Sequence, residues 1–109
     1  MLIDFEKLPE SVLHQFKDGV GDTHAHMHVD ELNRIMLTEL APGVSIGYHT
    51  HDTSSEIIYI LSGRGKALFD GGEEALYPGV CHYCPKGSAH SVINDGDELL
   101  RLFAVVPQQ

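Results

Sequence analysis

Two histidines separated by one residue, followed by a turn and a glutamate, constrain the fold of this chain more than any other feature. His49 and His51 precede the turn-forming run 52–55, and Glu56 opens the next apolar segment. Side chains two positions apart on a β-strand face the same side, with Cα atoms about 6.6 Å apart, so both imidazoles can face one ion. We predict a hairpin whose returning strand brings Glu56 beside the two histidines.

A second stretch has the same outline and offers a fourth ligand. A short strand after Gly79 leads to a turn at residues 85–87, and another strand opens at His90. Three imidazoles and one carboxylate, with positions left for water or substrate, suit a divalent first-row metal. We therefore predict one divalent transition metal ion, with Mn, Fe, Ni and Zn all compatible, and these ligands: His49, His51, Glu56 and His90.

The spacing of the two stretches resembles the two signature motifs of the cupin superfamily. The resemblance rests on ten positions, namely Gly43, His49, His51, Glu56 and Gly63 in the first stretch and Gly79, Pro85, Gly87, His90 and Asn94 in the second. The short spacing between the motifs is similar to that of compact, single-domain microbial cupins, and the resemblance covers about residues 34–106. It implies a small double-stranded β-helix, or jelly-roll barrel, with the metal inside.

The pattern of turns supports an all-β fold independently. Short strand-like segments alternate with Gly, Pro and Asp at intervals of about ten residues, which is typical of a sandwich or barrel. Asp70, Gly71 and Gly72 form a tight hairpin signal. We expect two parts, an N-terminal arm and strand over residues 1–33, packed on the barrel or on a partner subunit, and a barrel over residues 34–109.

Charge and the N-terminal sequence exclude several kinds of partner. Seven Lys and Arg residues against sixteen Asp and Glu residues give a net charge of -9, and such a surface repels the phosphates of nucleic acids. The first ten residues contain acids and no long apolar run, so we expect neither a secretory signal nor a membrane span. The chain is predicted to be cytoplasmic, without nucleic-acid or membrane partners.

Two further clusters of metal-binding residue types leave alternatives open. His24, His26 and His28 alternate, so on a strand they share one face, either as an additional metal site or pocket extension, or as a polar face at the surface or a subunit contact. Cys81 and Cys84 are spaced too far apart along a strand, at about 10 Å, for a disulfide. We interpret them as two thiols without special chemistry.

An enzyme also needs a proton donor or acceptor near the metal, and none is obvious. The weak candidates are Arg34, His82 and Tyr83. Arg34 can bind a substrate carboxylate if its strand face points into the barrel, and is otherwise a surface residue. A lone strand histidine such as His82 is more often a packed or surface residue than a ligand. Tyr48 and Tyr59 have the wrong strand parity and should point away, unless a bulge intervenes.

The segment 56–62 is apolar on both faces, which suggests that a second surface covers it. One face carries Ile58 and Ile60, and the opposite face carries Ile57, Tyr59 and Leu61. A strand buried on two sides favours a homodimer, made by sheet-to-sheet contact or by exchange of the N-terminal arm.

Three functions are compatible with the sequence. The first hypothesis is a metal-dependent enzyme acting on a small polar metabolite, such as an oxo acid, sugar acid or phenol, as an oxygenase, isomerase, decarboxylase or lyase. The alternative is a non-catalytic, metal-dependent module that binds or senses a small ligand, which the lack of an obvious acid or base favours. A structural role of the seed-storage type also resembles cupins, but one barrel with a full ligand set argues against it.

Overall fold

Two antiparallel sheets form the protein in the computed structural model, which describes residues 1–109. The ten strands are β1 (Glu10–His14), β2 (Asp22–Val29), β3 (Asn33–Leu40), β4 (Ser45–Thr50), β5 (Glu56–Ser62), β6 (Gly65–Phe69), β7 (Gly72–Leu76), β8 (Cys81–Cys84), β9 (Ala89–Ile93) and β10 (Leu100–Pro107). One sheet has the order β1-β2-β3-β10-β5-β8 and the other the order β4-β9-β6-β7. The predicted all-β jelly-roll fold is confirmed.

Period-two alternation places the core between the sheets. In β5 every second residue is buried, from Glu56 through Ile58 to Ile60, while Ile57 and Tyr59 remain exposed. The inward-facing apolar side chains form one cluster, made of Met36, Leu40, Val44, Ile46, Ile58, Ile60, Ala67, Leu76, Val92, Leu100, Leu102 and Ala104. Because both sheets turn apolar side chains toward this cluster, it forms the hydrophobic core of the barrel.

The two motif segments are not hairpins, and that prediction was wrong. β4 pairs with β9 in the four-stranded sheet, whereas β5 pairs with β10 and β8 in the six-stranded sheet. β8 and β9 are likewise in different sheets. The turns at residues 51–55 and 85–88 are long enough to carry the chain from one sheet to the other. The strands before and after each turn can therefore bury their apolar faces against each other's sheet. The predicted ligands therefore approach from both walls.

The Asp70–Gly71 turn is a hairpin, as predicted. β6 and β7 are joined by these two residues, whose φ angles are 52° and 74°. Positive φ at both central positions is typical of a type I′ turn, which matches the right-handed twist of the flanking strands.

The N-terminal residues extend the six-stranded sheet and then cross to the other one. β1 pairs with β2, and β2 pairs along its whole length with β3. The chain has two short 3₁₀ helices, Phe5–Lys7 and Phe16–Asp18. The second of these helices lies within residues 15–21, which we call the strap. The strap is tied to β4 by a hydrogen bond of 2.9 Å from the Ser45 N–H to the Val20 carbonyl. No helix of this chain has the length and apolar character required to cross a membrane.

Candidate metal centre

A β-bulge in β4 turns His49 toward the barrel interior. Ile46 lies opposite Val92 and His49 lies opposite His90, with a shift in register between the two pairs. Because the bulge adds one residue to β4, Ile46 and His49 face the same side although an odd number of positions separates them. The Gly47 carbonyl, inside the bulge, accepts a hydrogen bond of 2.7 Å from His49 Nδ1.

The four predicted ligands come together in the structure. His51 Nε2 lies 3.1 Å from His49 Nε2 and 3.0 Å from His90 Nε2. Glu56 Oε1 lies 2.9 Å from His90 Nε2 and 3.2 Å from His51 Nε2. All four donor atoms are within 4.8 Å of one another, so this group can hold a metal ion.

The second nitrogen of each imidazole already has a partner, which leaves the Nε2 atoms for an ion. His49 Nδ1 donates to the Gly47 carbonyl, and His51 Nδ1 is 3.1 Å from the Ser54 hydroxyl. Four of the six distances between donor atoms are 2.9 to 3.2 Å, which matches the spacing of about 3.0 Å between neighbouring ligands at right angles, each about 2.1 Å from one ion. The donor set therefore fits a divalent transition metal.

For Glu56 and His49, the surroundings favour the protonation state that metal binding requires. Burial acts to raise the pKa of Glu56, but hydrogen bonds from His51 and His90 outweigh it and lower the pKa to about 2. Burial lowers the pKa of His49, and the nearby His90 and His51 lower it further. An ionised carboxylate and neutral imidazoles are the ligand forms of these side chains.

The donor atoms open onto a cavity of about 330 Å³ between the sheets. Its wall includes Met36, Ile58, Leu102, and two cations, Arg34 and Lys17. The apolar residues come from the inner faces of both sheets, so a small ligand beside the donor atoms would be largely shielded from water.

Arg34 lies in the same row of the six-stranded sheet as Glu56. Arg34 is opposite Val106, and Val105 is opposite Ile57, so Val106 stands between Arg34 and Glu56. Neighbouring strands are about 4.8 Å apart, so the Cα atoms of Arg34 and Glu56 are about 10 Å apart. The sequence left Arg34 either inside the barrel or at the surface. In the structure, Arg34 lines the cavity.

The other candidates for acid or base chemistry lie outside the cavity. Tyr83 is 53% exposed on the outer side of β8, because its strand parity is opposite to that of the buried His82. Tyr48 and Tyr59 are also exposed, as strand parity predicted, and the bulge does not bring Tyr48 inward. His82 is buried behind His90 and does not line the cavity.

His24, His26 and His28 do not converge on a common point. Each imidazole has a separate acceptor on the outer side of β2: the Glu10 carboxylate for His24, the Leu8 carbonyl for His26 and the Asp30 carboxylate for His28. This arrangement matches the polar-face alternative rather than a second metal site.

The two cysteines are free thiols on opposite faces of β8. Cys81 is exposed and Cys84 is buried. Burial raises the pKa of Cys84 to about 11, and the charge of Glu56 contributes to this shift. Cys84 is therefore a neutral thiol near neutral pH, as expected for a packing residue.

Three features of the centre were not anticipated from the sequence. The β4 bulge, the contact of Gly47 with the strap and the pairing of His82 with Glu74 all depend on tertiary neighbours. Gly47 gave the one available signal, because glycine inside a strand is typical of a bulge or of close backbone approach.

The fold and the His₃Glu donor set define a jelly-roll protein with a candidate metal centre. The family model described as Cupin domain matches residues 36–106. The chain belongs to this cupin family, in agreement with the resemblance of its two motifs.

The chain is similar in sequence to one curated protein and in fold to several solved structures. An oxalate-binding protein of Thermotoga maritima is 35% identical over 68 residues, which cover 62% of this chain and 56% of that protein. The match thus spans little more than half of that curated relative. The crystal structure of a predicted oxalate decarboxylase from Thermotoga maritima superposes with a TM-score of 0.93 over 100% of both chains at 24% identity, which shows the fold alone. A cupin 2 conserved barrel domain protein from Salinispora arenicola has a TM-score of 0.70 at 27% identity, over 99% of this chain and 87% of that one.

Proposed function

We propose that the chain binds one divalent transition metal ion through His49, His51, Glu56 and His90 and holds a small carboxylate in the adjoining cavity. The convergent donor atoms and the fit of their spacing to an ion support the metal. A relative named as an oxalate-binding protein supports the class of ligand.

The observation that carries the proposal is the unpaired guanidinium of Arg34 in the cavity wall. The chain has sixteen acidic residues, and Lys7, Lys66 and Arg101 each pair with one of them. The other four cations, Lys17, Arg34, Arg64 and Lys86, form no such ion pair, and Arg34 is the one guanidinium among them that lines the same cavity as the donor atoms. A planar guanidinium matches a carboxylate with two parallel hydrogen bonds, so an anionic ligand supplies the partner that the protein does not.

The residues of the cavity divide the binding of such an anion among them. Arg34 binds and orients a carboxylate, while Met36 and Leu102 exclude water and thereby strengthen the ion pair. The buried Thr23 hydroxyl also lines the cavity and has no hydrogen-bond partner in the protein, so it can donate to a ligand oxygen. A metal at the centre, when bound, supplies an electrophilic site for carboxylate oxygens.

A catalytic role for the same site is the second candidate. Lys17 and Asp52 line the cavity and can exchange protons with a bound acid, which an oxygenase, decarboxylase or lyase requires. A binding role is the first candidate function, because the tyrosines and His82, which could act as acid or base, do not line the cavity.

The test compares metal content and carboxylate affinity in matched variants. Protein purified without a metal-affinity tag should contain close to one transition metal ion per chain, and His51→Ala together with His90→Ala should lose it. Oxalate titration by calorimetry should show binding to the metal-loaded protein. Arg34→Gln should weaken that affinity at least about 10-fold, since one charge-assisted hydrogen bond contributes about 1.5 to 3 kcal/mol, with metal content unchanged.

Arg64→Gln is the matched control, because Arg64 stacks on Tyr77 instead of lining the cavity. Equal oxalate affinity in the Arg34 and Arg64 variants would contradict the role of Arg34. No metal in the wild type would contradict the proposal as a whole. Loss of oxalate with time in the presence of wild type, but not of the double variant, would instead move the catalytic candidate to first place.

We also propose that the partner of this chain is a second copy, docked on the outer face of the six-stranded sheet. We call this face the apolar face, and its side chains are Ile35, Leu37, Ile57, Tyr59, Leu61, Tyr83, Phe103 and Val105. The exposed apolar side chains of β5 on this face favour sheet-to-sheet contact over exchange of the N-terminal arm.

A further inference from the structure

A chain of hydrogen bonds runs from the candidate metal centre through the barrel wall to the surface. His90 Nδ1 lies 2.9 Å from His82 Nε2, and His82 Nδ1 lies 2.7 Å from Glu74 Oε1. The His90 and His82 side chains are 0% and 1% exposed, whereas that of Glu74 is 49% exposed. The sequence gives no direct sign of these hydrogen bonds, because His90, His82 and Glu74 come from three different strands, β9, β8 and β7.

The chemistry of the three groups sets the direction of each hydrogen bond. An ionised Glu74 carboxylate can only accept, so His82 Nδ1 carries the proton that it donates. When His90 Nε2 faces an ion, the proton of a neutral His90 is on Nδ1. His82 Nε2 must then accept a hydrogen bond from His90 Nδ1, which is consistent with a neutral His82. Both nitrogens of His82 and the Nδ1 of His90 then have a hydrogen-bond partner.

We propose that His82 and Glu74 are positioning residues that fix the tautomer and orientation of His90 as a metal ligand. This inference rests on the proposed metal site. The Glu74 carboxylate polarises His82 and, through His82, also His90. This polarisation makes His90 Nε2 a stronger electron-pair donor to a cation. His90 differs in this respect from His49 and His51, whose second nitrogens have a backbone carbonyl and a hydroxyl as partners.

Packing shows why His82 is suited to this task. Its ring lies nearly coplanar with that of His90, with an interplanar angle of 16° and centroids 5.2 Å apart, as the hydrogen bond of 2.9 Å between their edges requires. Phe69 contacts the same imidazole edge-on, with ring centroids 5.7 Å apart. The ring is thus held at its edge by His90 and Glu74, which each bond one nitrogen, and it packs against Phe69. A buried imidazole with both nitrogens engaged keeps a single orientation, which it transmits to His90.

The first experiment measures metal affinity in Glu74→Gln against Glu73→Gln. Glu73 is next to Glu74 in β7, carries the same charge and pairs with Lys66 at 3.2 Å, so its variant controls for lost surface charge. Competition of Zn²⁺-loaded protein with a chelator should give an affinity at least about 10-fold weaker for Glu74→Gln, in line with other outer-shell partners of metal ligands. Glu73→Gln should stay within about twofold of the wild type.

The second measurement is ¹⁵N NMR of the imidazoles in the Zn²⁺-loaded wild type. His90 should coordinate through Nε2 and carry its proton on Nδ1, and the Nδ1 signal should shift in Glu74→Gln but not in Glu73→Gln. His82→Phe, checked by its thermal melt, should weaken zinc binding more than Glu74→Gln. If this variant does not fold, the glutamate pair decides the question.

The outcomes separate the two proposals. A wild type that binds no zinc would overturn the proposed metal site and this inference with it. A wild type that binds zinc, with the same affinity as Glu74→Gln, would overturn only the positioning role. Coordination of His90 through Nδ1 would also overturn it.

Discussion

At the residue scale, the candidate centre is built by fixing one nitrogen of each imidazole and directing the other inward. His49, His51 and His90 each have a different partner on Nδ1, and the three Nε2 atoms meet beside Glu56. Three imidazoles and a carboxylate grouped in the barrel interior contribute little apolar packing, so the arrangement is typical of a functional site rather than of a core.

Outside the centre, the outer face of β2 provides a pH-dependent contact. The hydrogen bond with the Glu10 carboxylate raises the pKa of His24 above its usual 6.5. A raised folded-state pKa means that the pair stabilises the protein fully below the unfolded-state pKa, and that this contribution disappears as the pH rises through the folded-state pKa. In urea unfolding, Glu10→Gln should therefore reduce stability more at pH 6 than at pH 9.

Glu6→Gln serves as the control for this pH effect, because Glu6 is also an N-terminal acid but has no histidine partner. Its effect should be nearly the same at both pH values. NMR titration should show the His24 pKa returning toward 6.5 in Glu10→Gln. An unchanged His24 pKa in that variant would contradict the assignment.

Residue identity carried most of what could be predicted of the centre. His49, His51, Glu56 and His90 were recognised because metal chemistry restricts ligands to a few residue types and because their spacing resembles the two cupin motifs. Their use as ligands remains a prediction. Glu74 and His82 could not be paired from the sequence, since acid–histidine pairs between strands depend on a register that is visible only in the fold.

Among the strands and turns, an irregular part of the barrel directs one of the predicted ligands inward. The bulge in β4 returns His49 to the interior, and the strap lies directly against that bulge. Regular alternation predicted the strands and their buried faces, because period-two burial follows from strand geometry alone. The partners of each strand were not predicted, and β4 and β5 proved to be in different sheets, since a short turn is compatible both with a hairpin and with a crossing between sheets.

Within β4, Gly47 is the position at which an added methyl group should most reduce the stability of the fold. A Cβ at Gly47 would overlap the Lys17 carbonyl of the strap, and both groups are backbone, so one segment must move. We expect Gly47→Ala to reduce the free energy of unfolding by about 2 to 3 kcal/mol, as overpacking does elsewhere. Metal affinity should also fall, because the Gly47 carbonyl orients His49. Thermal denaturation and zinc titration check the two effects.

Gly72→Ala is the control for glycine replacement. Gly72 is in β7, its φ is not positive, and the nearest atom to an added Cβ is the Phe69 carbonyl oxygen at 3.9 Å. Its effect on the free energy of unfolding should stay within about 0.5 kcal/mol. Equal melting temperatures for the two variants would show that the strap does not press on the bulge.

Across the whole molecule, sixteen acidic residues outnumber seven basic ones. The net charge of -9 opposes association of two copies through most of their surface. The apolar face is the exception, since its members on β5, Ile57, Tyr59 and Leu61, are 40 to 44% exposed and are flanked by no charged residue on that strand's outer side. Self-association through this face buries apolar area without bringing acidic groups together.

Size also permits such a dimer. A standard interface buries about 800 Å² on each partner, roughly an eighth of the 6187 Å² exposed by this chain. The central strands of the six-stranded sheet supply the aromatic and aliphatic anchors that interfaces of this size use. The cavity opens between the sheets, so a partner on the outer face leaves the candidate centre accessible.

Tyr59→Glu should convert the dimer into a monomer, because it places a charge in the middle of the apolar face. Tyr77→Glu is the matched control: Tyr77 has the same exposed fraction, 44%, but follows β7 of the other sheet. Light scattering during size exclusion should give twice the chain mass for the wild type and for Tyr77→Glu, and the single chain mass for Tyr59→Glu. A monomeric wild type would rule out the dimer. A dimer that survives Tyr59→Glu would place the contact elsewhere, and truncation of residues 1–20 would then test exchange of the N-terminal arm.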